Sequence, residues 1–300
     1  MTQLVTKQKF KPPIHDKPEK STSLWLEAWR SFKRNKMALV GAAIVLLFIL
    51  IAILAPYIAP YDFKEQNMNN RLQSPNGEHW FGTDEFGRDI FSRVIYGARI
   101  SLWVGFISVL GSMLVGSLLG IIAGYFGKWV DTIISRVFDI MLAFPSILLA
   151  IAIVAVLGPS LQNALIAIAI INIPNFGRLI RSRVLSVKEE EYIVAAKAIG
   201  MSETRILFYH VLPNSMSPII VQGSLAIGTA IIEAAALGFL GLGAEAPNPE
   251  WGKMLSDGKA LLTQAPWTMI FPGLTIMLTV LGFNLMGDGL RDALDPKMKN

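Results

Sequence analysis

The sequence predicts an all-α membrane protein with six transmembrane helices and both termini on the cytoplasmic side. Three observations predict it. Hydrophobic residues make up 53% of the 300 and charged residues only 16%, with a mean hydropathy of +0.49, whereas a soluble domain carries about 25% charged residues. Residues 37–61, 100–127, 140–177, 206–232 and 260–287 contain no Asp, Glu, Lys or Arg, and a helix needs about 20 apolar residues to cross the hydrocarbon core. The runs lack the strict alternation of a membrane barrel, which leaves helices as the form that satisfies the backbone in lipid.

Residues 1–22 are rich in Lys, Pro and Ser and read as a flexible tail. In 24–36, Leu24, Trp25, Ala28, Trp29 and Phe32 fall at helical spacing opposite Arg30, Lys33, Arg34 and Lys36. That pattern predicts an amphipathic helix in the membrane interface leading into the first span; its rival is a soluble partner-binding helix. The expected spans are 38–58, 101–124, 132–157, 162–178, 217–242 and 267–288, with Gly158-Pro159-Ser160 dividing the longest charge-free run. Long length, a polar lead of 36 residues and no small-residue cleavage site argue against a signal peptide at the first span. The chain divides into a tail and interfacial helix (1–36), a first span with its outer loop (37–98), a membrane core (99–290) containing the inner loop 178–216, and a last tail (291–300).

Basic residues set the orientation. With the N-terminus inside, the inner segments hold 20 of the 27 Lys and Arg residues. The absence of cysteine excludes disulfides and thiolate chemistry, and His15, His79 and His210 lie too far apart in sequence for a metal cluster. Nucleic-acid binding is not expected, because the most basic loop is balanced by acids and tethered to lipid at both ends.

Between the spans, Thr83 or Asp84 is expected to cap a short helix carrying Ile90, Phe91, Val94 and Ile95, lying on the membrane. Gly116, Gly120 and Gly124, four apart, let a neighbouring helix approach closely. In the inner loop, Ser186 is placed as the cap of a helix over 186–199, Gly200 as its left-handed terminator and Ser202 as the cap of a second helix over 203–211. Pro213 is expected to force Leu212 out of helical geometry. Ala195, Ala196 and Ala198 offer small-residue surfaces on which another protein could dock. A merely solvated hairpin is the alternative. Within the membrane, Glu233 is the one carboxylate near the middle of a span. It reads either as a hydrogen bond to a neighbouring helix or as a proton relay. Asn163, Asn172, Asn175 and Asn284 are candidates, with Glu233, to line a translocation path. Arg136 and Asp139 are spaced to pair, and Pro145 and Pro174 to kink their helices.

Several of these segments resemble a known family. Glu191-Tyr-Ile-Val-Ala195-Ala196-Lys-Ala-Ile-Gly200, followed by Leu212-Pro213, is similar to the EAA loop of ABC importer permeases. Its spacing departs from a strict Glu-Ala-Ala triplet in the manner of the peptide-importer branch, and Ile206 falls earlier than in the pattern. Gly82-Thr83-Asp84 through Gly87-Arg88-Asp89, then Gly241-Leu-Gly243, Trp251-Gly252 and the ending Gly287 to Pro296, resemble the C-type permease of oligopeptide, dipeptide and nickel importers. The likeness spans roughly 25–297.

The resemblance implies a type I ABC importer permease fold. It implies a second, homologous permease as partner, two cytoplasmic ATP-binding subunits and an extracellular or periplasmic peptide-binding protein, all at the bacterial cell membrane. The inner loop then carries the coupling helix, with Glu191, Ala195, Ala196, Gly200, Ser202, Arg205, His210 and Pro213 as its coupling residues, and docking becomes the favoured reading of that loop. No Gly-x-x-x-x-Gly-Lys-Ser/Thr run exists, so ATP and magnesium are expected on partner chains, with no cofactor, metal or catalytic residue here. A same-fold permease for nickel or another small solute is the alternative substrate class. A stand-alone secondary transporter is disfavoured, since one intramembrane acid is few for proton coupling.

Overall fold

In a computed structural model, residues 24–294 are described, and every extended element is helical. The expected tail over 1–22, and residues 295–300 with the end of the last family motif, lie outside the described residues. Helix α1 (Leu24–Arg34) is followed at once by α2 (Lys36–Ile58), whose N-cap Asn35 accepts from the amides of Met37 and Ala38. Then come α3 (Ile90–Phe126), α4 (Lys128–Leu142), α5 (Ser146–Leu157), α6 (Leu161–Lys188), α7 (Glu191–Ala198), α8 (Glu203–Ile206), α9 (Leu212–Phe239), α10 (Trp251–Gly258) and α11 (Trp267–Leu294).

Among the described residues, five helical segments are long and apolar enough to cross a membrane, and there are six if the bent pair α4–α5 is counted as one span. That pair corrects the continuous helix expected over 132–157. The chain turns by 94° between α4 and α5, because Pro145 lacks an N–H and its ring disfavours helical backbone just before it. The expected 101–124 span lies within a longer helix. It is part of a 37-residue helix starting at Ile90, so the segment carrying Phe91 and Val94 forms the first turns of that helix and is not a separate short helix.

Packing follows the small residues. Gly116, Gly120 and Gly124 of α3 face α6, where a Cβ on Gly120 would overlap Ile180 and the Gly177 carbonyl, and one on Gly124 would press on Val184 at 3.0 Å. Gly177 in turn receives the ring of Phe138 from α4. One core joins α3, α5, α6, α7, α8 and α9 around Ile168, Phe176, Ile180, Ile193 and Ile206. A second joins α2, α3, α9, α10 and α11 around Phe48, Ile90, Ile231, Trp251 and Phe283. Large apolar side chains such as Leu46, Ile53, Trp103 and Leu118 remain exposed on the outside, the arrangement expected where the surrounding solvent is lipid.

Candidate functional site

At one end of the bundle, α7 and α8 form the helical hairpin that interrupts the membrane spans. Its boundaries differ from those read in the sequence. Ser186 lies inside α6, which continues to Lys188; the N-cap of α7 is Glu190, and it makes no side-chain capping bond. Apolar Val184 and Val187 stay buried in α6, so packing carries that helix past a serine that could have capped a new one. Gly200 has φ +81°, the left-handed backbone expected of it. Ser202 is the N-cap of α8, although its hydroxyl makes no capping bond. Leu212 is helical (φ −60°, ψ −51°), contrary to expectation. One π-helical turn, Leu207–Val211, precedes Pro213, and the Leu212 amide reaches back to the Leu207 carbonyl. The wider turn accommodates the proline's missing N–H without ending the helix.

The hairpin is anchored on its inner face. Ile193, Ala196, Ile206 and Val211 are buried in the larger core. Ala196 therefore points inward, a correction to its place among the docking residues, while Ala195 and Ala198 face out. Tyr125, in the last turn of α3, donates its hydroxyl to the Glu203 carbonyl at 3.0 Å and contacts the Glu203 carboxylate. Lys188 donates to the Tyr125 carbonyl at 2.7 Å and the Gly124 carbonyl at 3.3 Å, which satisfies the orphan acceptors and the negative dipole end of α3. On the other side, Tyr192 packs near His210 with ring centroids 6.2 Å apart and accepts from Asn214 of α9 at 3.3 Å. Burial, then the nearby Glu190 charge, pushes the Tyr192 phenol up from its ordinary value. The hairpin is thus fastened to α3, α6 and α9 together.

Its outer face is open. Glu191, Ala195, Gly200, Ser202, Arg205 and Pro213 are exposed there, and Arg205 lies over the Tyr209 ring at 6.0 Å. Val194, Ile199, Phe208 and Tyr209 are exposed as well, Ile199 at 79% and Tyr209 at 73%. The sequence reading missed these four. Their signal was apolar side chains standing off the buried period of a short helix in a segment outside the spans.

Beneath the hairpin, Arg181 of α6 makes a two-pronged ion pair with Asp131 of α4, its Nη2 at 2.7 Å. Arg136 and Asp139 make no ion pair, although both lie among the described residues.

The opposite end is built from 59–89 and 240–266. The family-motif residues form one compact knot there. The cap of α3 is Asp89, not Thr83 or Asp84. Asp89 accepts from the Ser92 amide and hydroxyl, both at 2.7 Å, and lies 3.0 Å from His79 Nδ1. Thr83 instead accepts from the Gln73 amide at 2.8 Å and donates to the Asn70 carbonyl. Asp84 accepts from the Phe86 and Arg88 amides at 2.9 Å and from Arg88 Nε at 2.6 Å. Gly82 and Gly87 have positive φ, and a Cβ on Gly87 would collide with the Asn67 carbonyl. Arg93 reaches the carbonyls of Phe63 at 3.1 Å and Pro247 at 3.4 Å, joining the two halves of this layer. Trp251 is fully buried and donates to the Val94 carbonyl at 3.0 Å. Glu250 caps α10 through the Gly252 and Lys253 amides at 2.8 Å, and burial pushes its carboxyl up despite those bonds.

Of the intramembrane polar residues, Asn172 of α6 donates to Glu233 of α9 at 2.8 Å, and Asn175 approaches Asn172 at 3.5 Å. Asn284 of α11 lies against Gly228 of α9. Asn163 stands apart, closing the α5–α6 turn with bonds to the Leu157 and Gly158 carbonyls at 3.0 and 2.9 Å.

Comparison with known proteins gives consistent matches. The family described as the inner membrane component of binding-protein-dependent transport systems matches residues 116–300, and the N-terminal TM domain of oligopeptide transport permease C matches 23–75. The chain is 64% identical over 297 residues to the dipeptide transport system permease protein DppC of Alkalihalophilus pseudofirmus, covering 99% of this chain and 97% of that one. It is 49% identical over 290 residues to the glutathione transport system permease protein GsiD of Pectobacterium atrosepticum, covering 96% of each. A chain of the MetNI methionine ABC transporter in an inward facing conformation matches in fold, with a TM-score of 0.55 at 17% identity, over 69% of this chain and 98% of that one.

Proposed function

The chain belongs to the family of inner membrane components of binding-protein-dependent transport systems, and from that premise we propose that it is a transmembrane subunit of an ATP-driven ABC importer for peptides. The observation that carries the substrate class is the 64% identity to a dipeptide permease along nearly the whole chain. The hairpin supports the coupling role. Its exposed face offers Glu191, Ala195, Arg205 and four apolar side chains to a partner, while its buried face is tied to three spans. A push on such a hairpin moves α3, α6 and α9 together, and packed helices respond by shifting between discrete arrangements.

In this reading both termini are cytoplasmic and the hairpin meets one of two ATP-binding subunits. The first 36 residues and those after 290 lie inside, 37–98 supply the first span and outer loop, and 99–290 form the core. A second, homologous permease completes the path, and a peptide-binding protein approaches the layer containing Asp84, Arg88 and Trp251. ATP and magnesium belong to the partner chains. The path runs along the polar side chains Asn172, Asn175, Glu233 and Asn284.

The test is reconstitution in vesicles with the second permease, the two ATP-binding subunits and the binding protein. Labelled dipeptide should accumulate only when ATP is present on the hairpin side. Uptake by this chain without any ATP-binding subunit would overturn the proposal. So would an active assembly that moves a small solute and no peptide.

A further inference from the structure

Glu233 is held at one end only. Asn172 Nδ2 donates to its Oε2 at 2.8 Å and also to the Ile168 carbonyl at 3.0 Å. A carbonyl can only accept, so the Asn172 amide cannot be turned round. Oε1 of Glu233 has no hydrogen-bond partner among the described residues. The carboxylate lies six residues before the end of α9 at Phe239, about 9 Å along the helix axis. The face it shares is open: Thr229 on α9 and Asn175 on α6 are exposed, and Asn284 on α11 is exposed on the other flank. Beyond Met216, the other exposed side chains of α9 are the apolar Ile232 and Phe239. A polar strip centred on one acid is a poor surface for hydrocarbon, where a charged group costs about 2.5 kcal/mol or more. It suits a face turned to a polar cavity.

We propose that Glu233 is the counter-charge for the α-ammonium of a peptide in transit. This rests on the peptide reading above. A dipeptide entering the path gives up hydration at its cationic end, and a carboxylate with one oxygen pinned and one free offers that end a partner without rearranging the helices. Asn172 is the positioning residue that holds the acid. Thr229 and Asn175 flank it to meet the peptide's backbone.

The test uses the assembled transporter in vesicles, supplied with a dipeptide or its des-amino analogue, each at a concentration that saturates the binding protein. Wild type should favour the dipeptide by about tenfold or more. Glu233→Gln keeps the oxygen that accepts from Asn172, so a structural role survives in it. The variant should lose most of that preference. Glu233→Asp should keep the preference. An unchanged preference in Glu233→Gln overturns the proposal. If the Gln variant fails to assemble, Glu233→Asp against Glu233→Asn reads the same contrast. A wild-type assembly that moves a small solute and neither peptide overturns the peptide reading and this one with it, whereas dipeptide uptake with no discrimination overturns only this one.

Discussion

The Tyr125 hydroxyl, in the last turn of α3, donates to the backbone carbonyl of Glu203 at the first residue of α8, over 3.0 Å. The two residues are 78 apart in sequence. This bond joins the hairpin to a helix whose other end begins in the opposite loop layer, at Ile90. It makes α3 a rigid link between the two ends of the bundle. Tyr125→Phe removes the donor and little volume. The expected cost is about 1 kcal/mol of stability, with a larger effect on coupling: peptide moved per ATP should fall several-fold while ATPase activity persists. A transport-to-hydrolysis ratio equal to wild type would show that the bond is dispensable to coupling.

Gly200 stands at φ +81° with nothing within 4 Å of an added Cβ. A substitution there meets a backbone penalty and no steric clash. For a β-branched side chain the left-handed conformation costs about 1–2 kcal/mol, and Asn tolerates it better. Gly200→Val should therefore uncouple ATP hydrolysis from uptake, and Gly200→Asn should stay near wild type. Equal behaviour of the two variants in reconstituted vesicles would mean that the elbow's conformation does not matter to transport.

Much of this architecture was legible in the sequence. The charge-free runs marked the spans because lipid excludes ionised groups, and Gly200 could be placed because few residues accept its backbone. The α4–α5 bend was underestimated: Pro145 shows in the sequence as a local kink, but the size of the 94° turn is a tertiary quantity that a single proline does not state. Asp89 was missed as the cap of α3 because Thr83, Asp84 and Asp89 are all competent caps, and only the fold of 67–88 shows that Thr83 is engaged by Gln73 and Asn70 and Asp84 by Arg88, leaving the helix to start after Asp89. The inward turn of Ala196 and the outward Ile199 were hidden for a related reason. In a helix of eight residues the apolar period is too short to name the buried face.

Gly120 and Gly111 lie on the same helix and should respond oppositely to alanine. A Cβ at Gly120 overlaps Ile180 and the Gly177 backbone, whereas at Gly111 it meets only the Ala169 methyl at 3.6 Å, an ordinary contact. Gly120→Ala must push α3 from α6 or strain both, at about 1–3 kcal/mol. Gly111→Ala gains helix propensity and should be neutral or stabilising by up to about 1 kcal/mol. Thermal unfolding in detergent measures the pair, and a Gly120→Ala protein as stable as wild type would contradict the close approach of the two helices.

Glu250 supplies a pH dependence whose sign follows from its surroundings. Burial raises its carboxyl above the ordinary value near 4.5, and the bonds from Gly252 and Lys253 only partly offset that. A raised acid favours the folded state in its protonated form. Its contribution to stability is therefore complete below about 4.5 and is lost as pH rises through the raised folded value. Glu250→Gln is a fixed copy of the protonated side chain: it keeps one acceptor for the start of α10 and carries no charge. The variant should be at least as stable as wild type at pH 7.5, and the difference should close as the pH falls toward the ordinary glutamate range. Amide exchange in α10, measured for both proteins at several pH values, reads this directly. A variant that is less stable at pH 7.5, by a deficit that shrinks as the pH falls, would mean that the carboxylate's two capping bonds outweigh the cost of burying its charge.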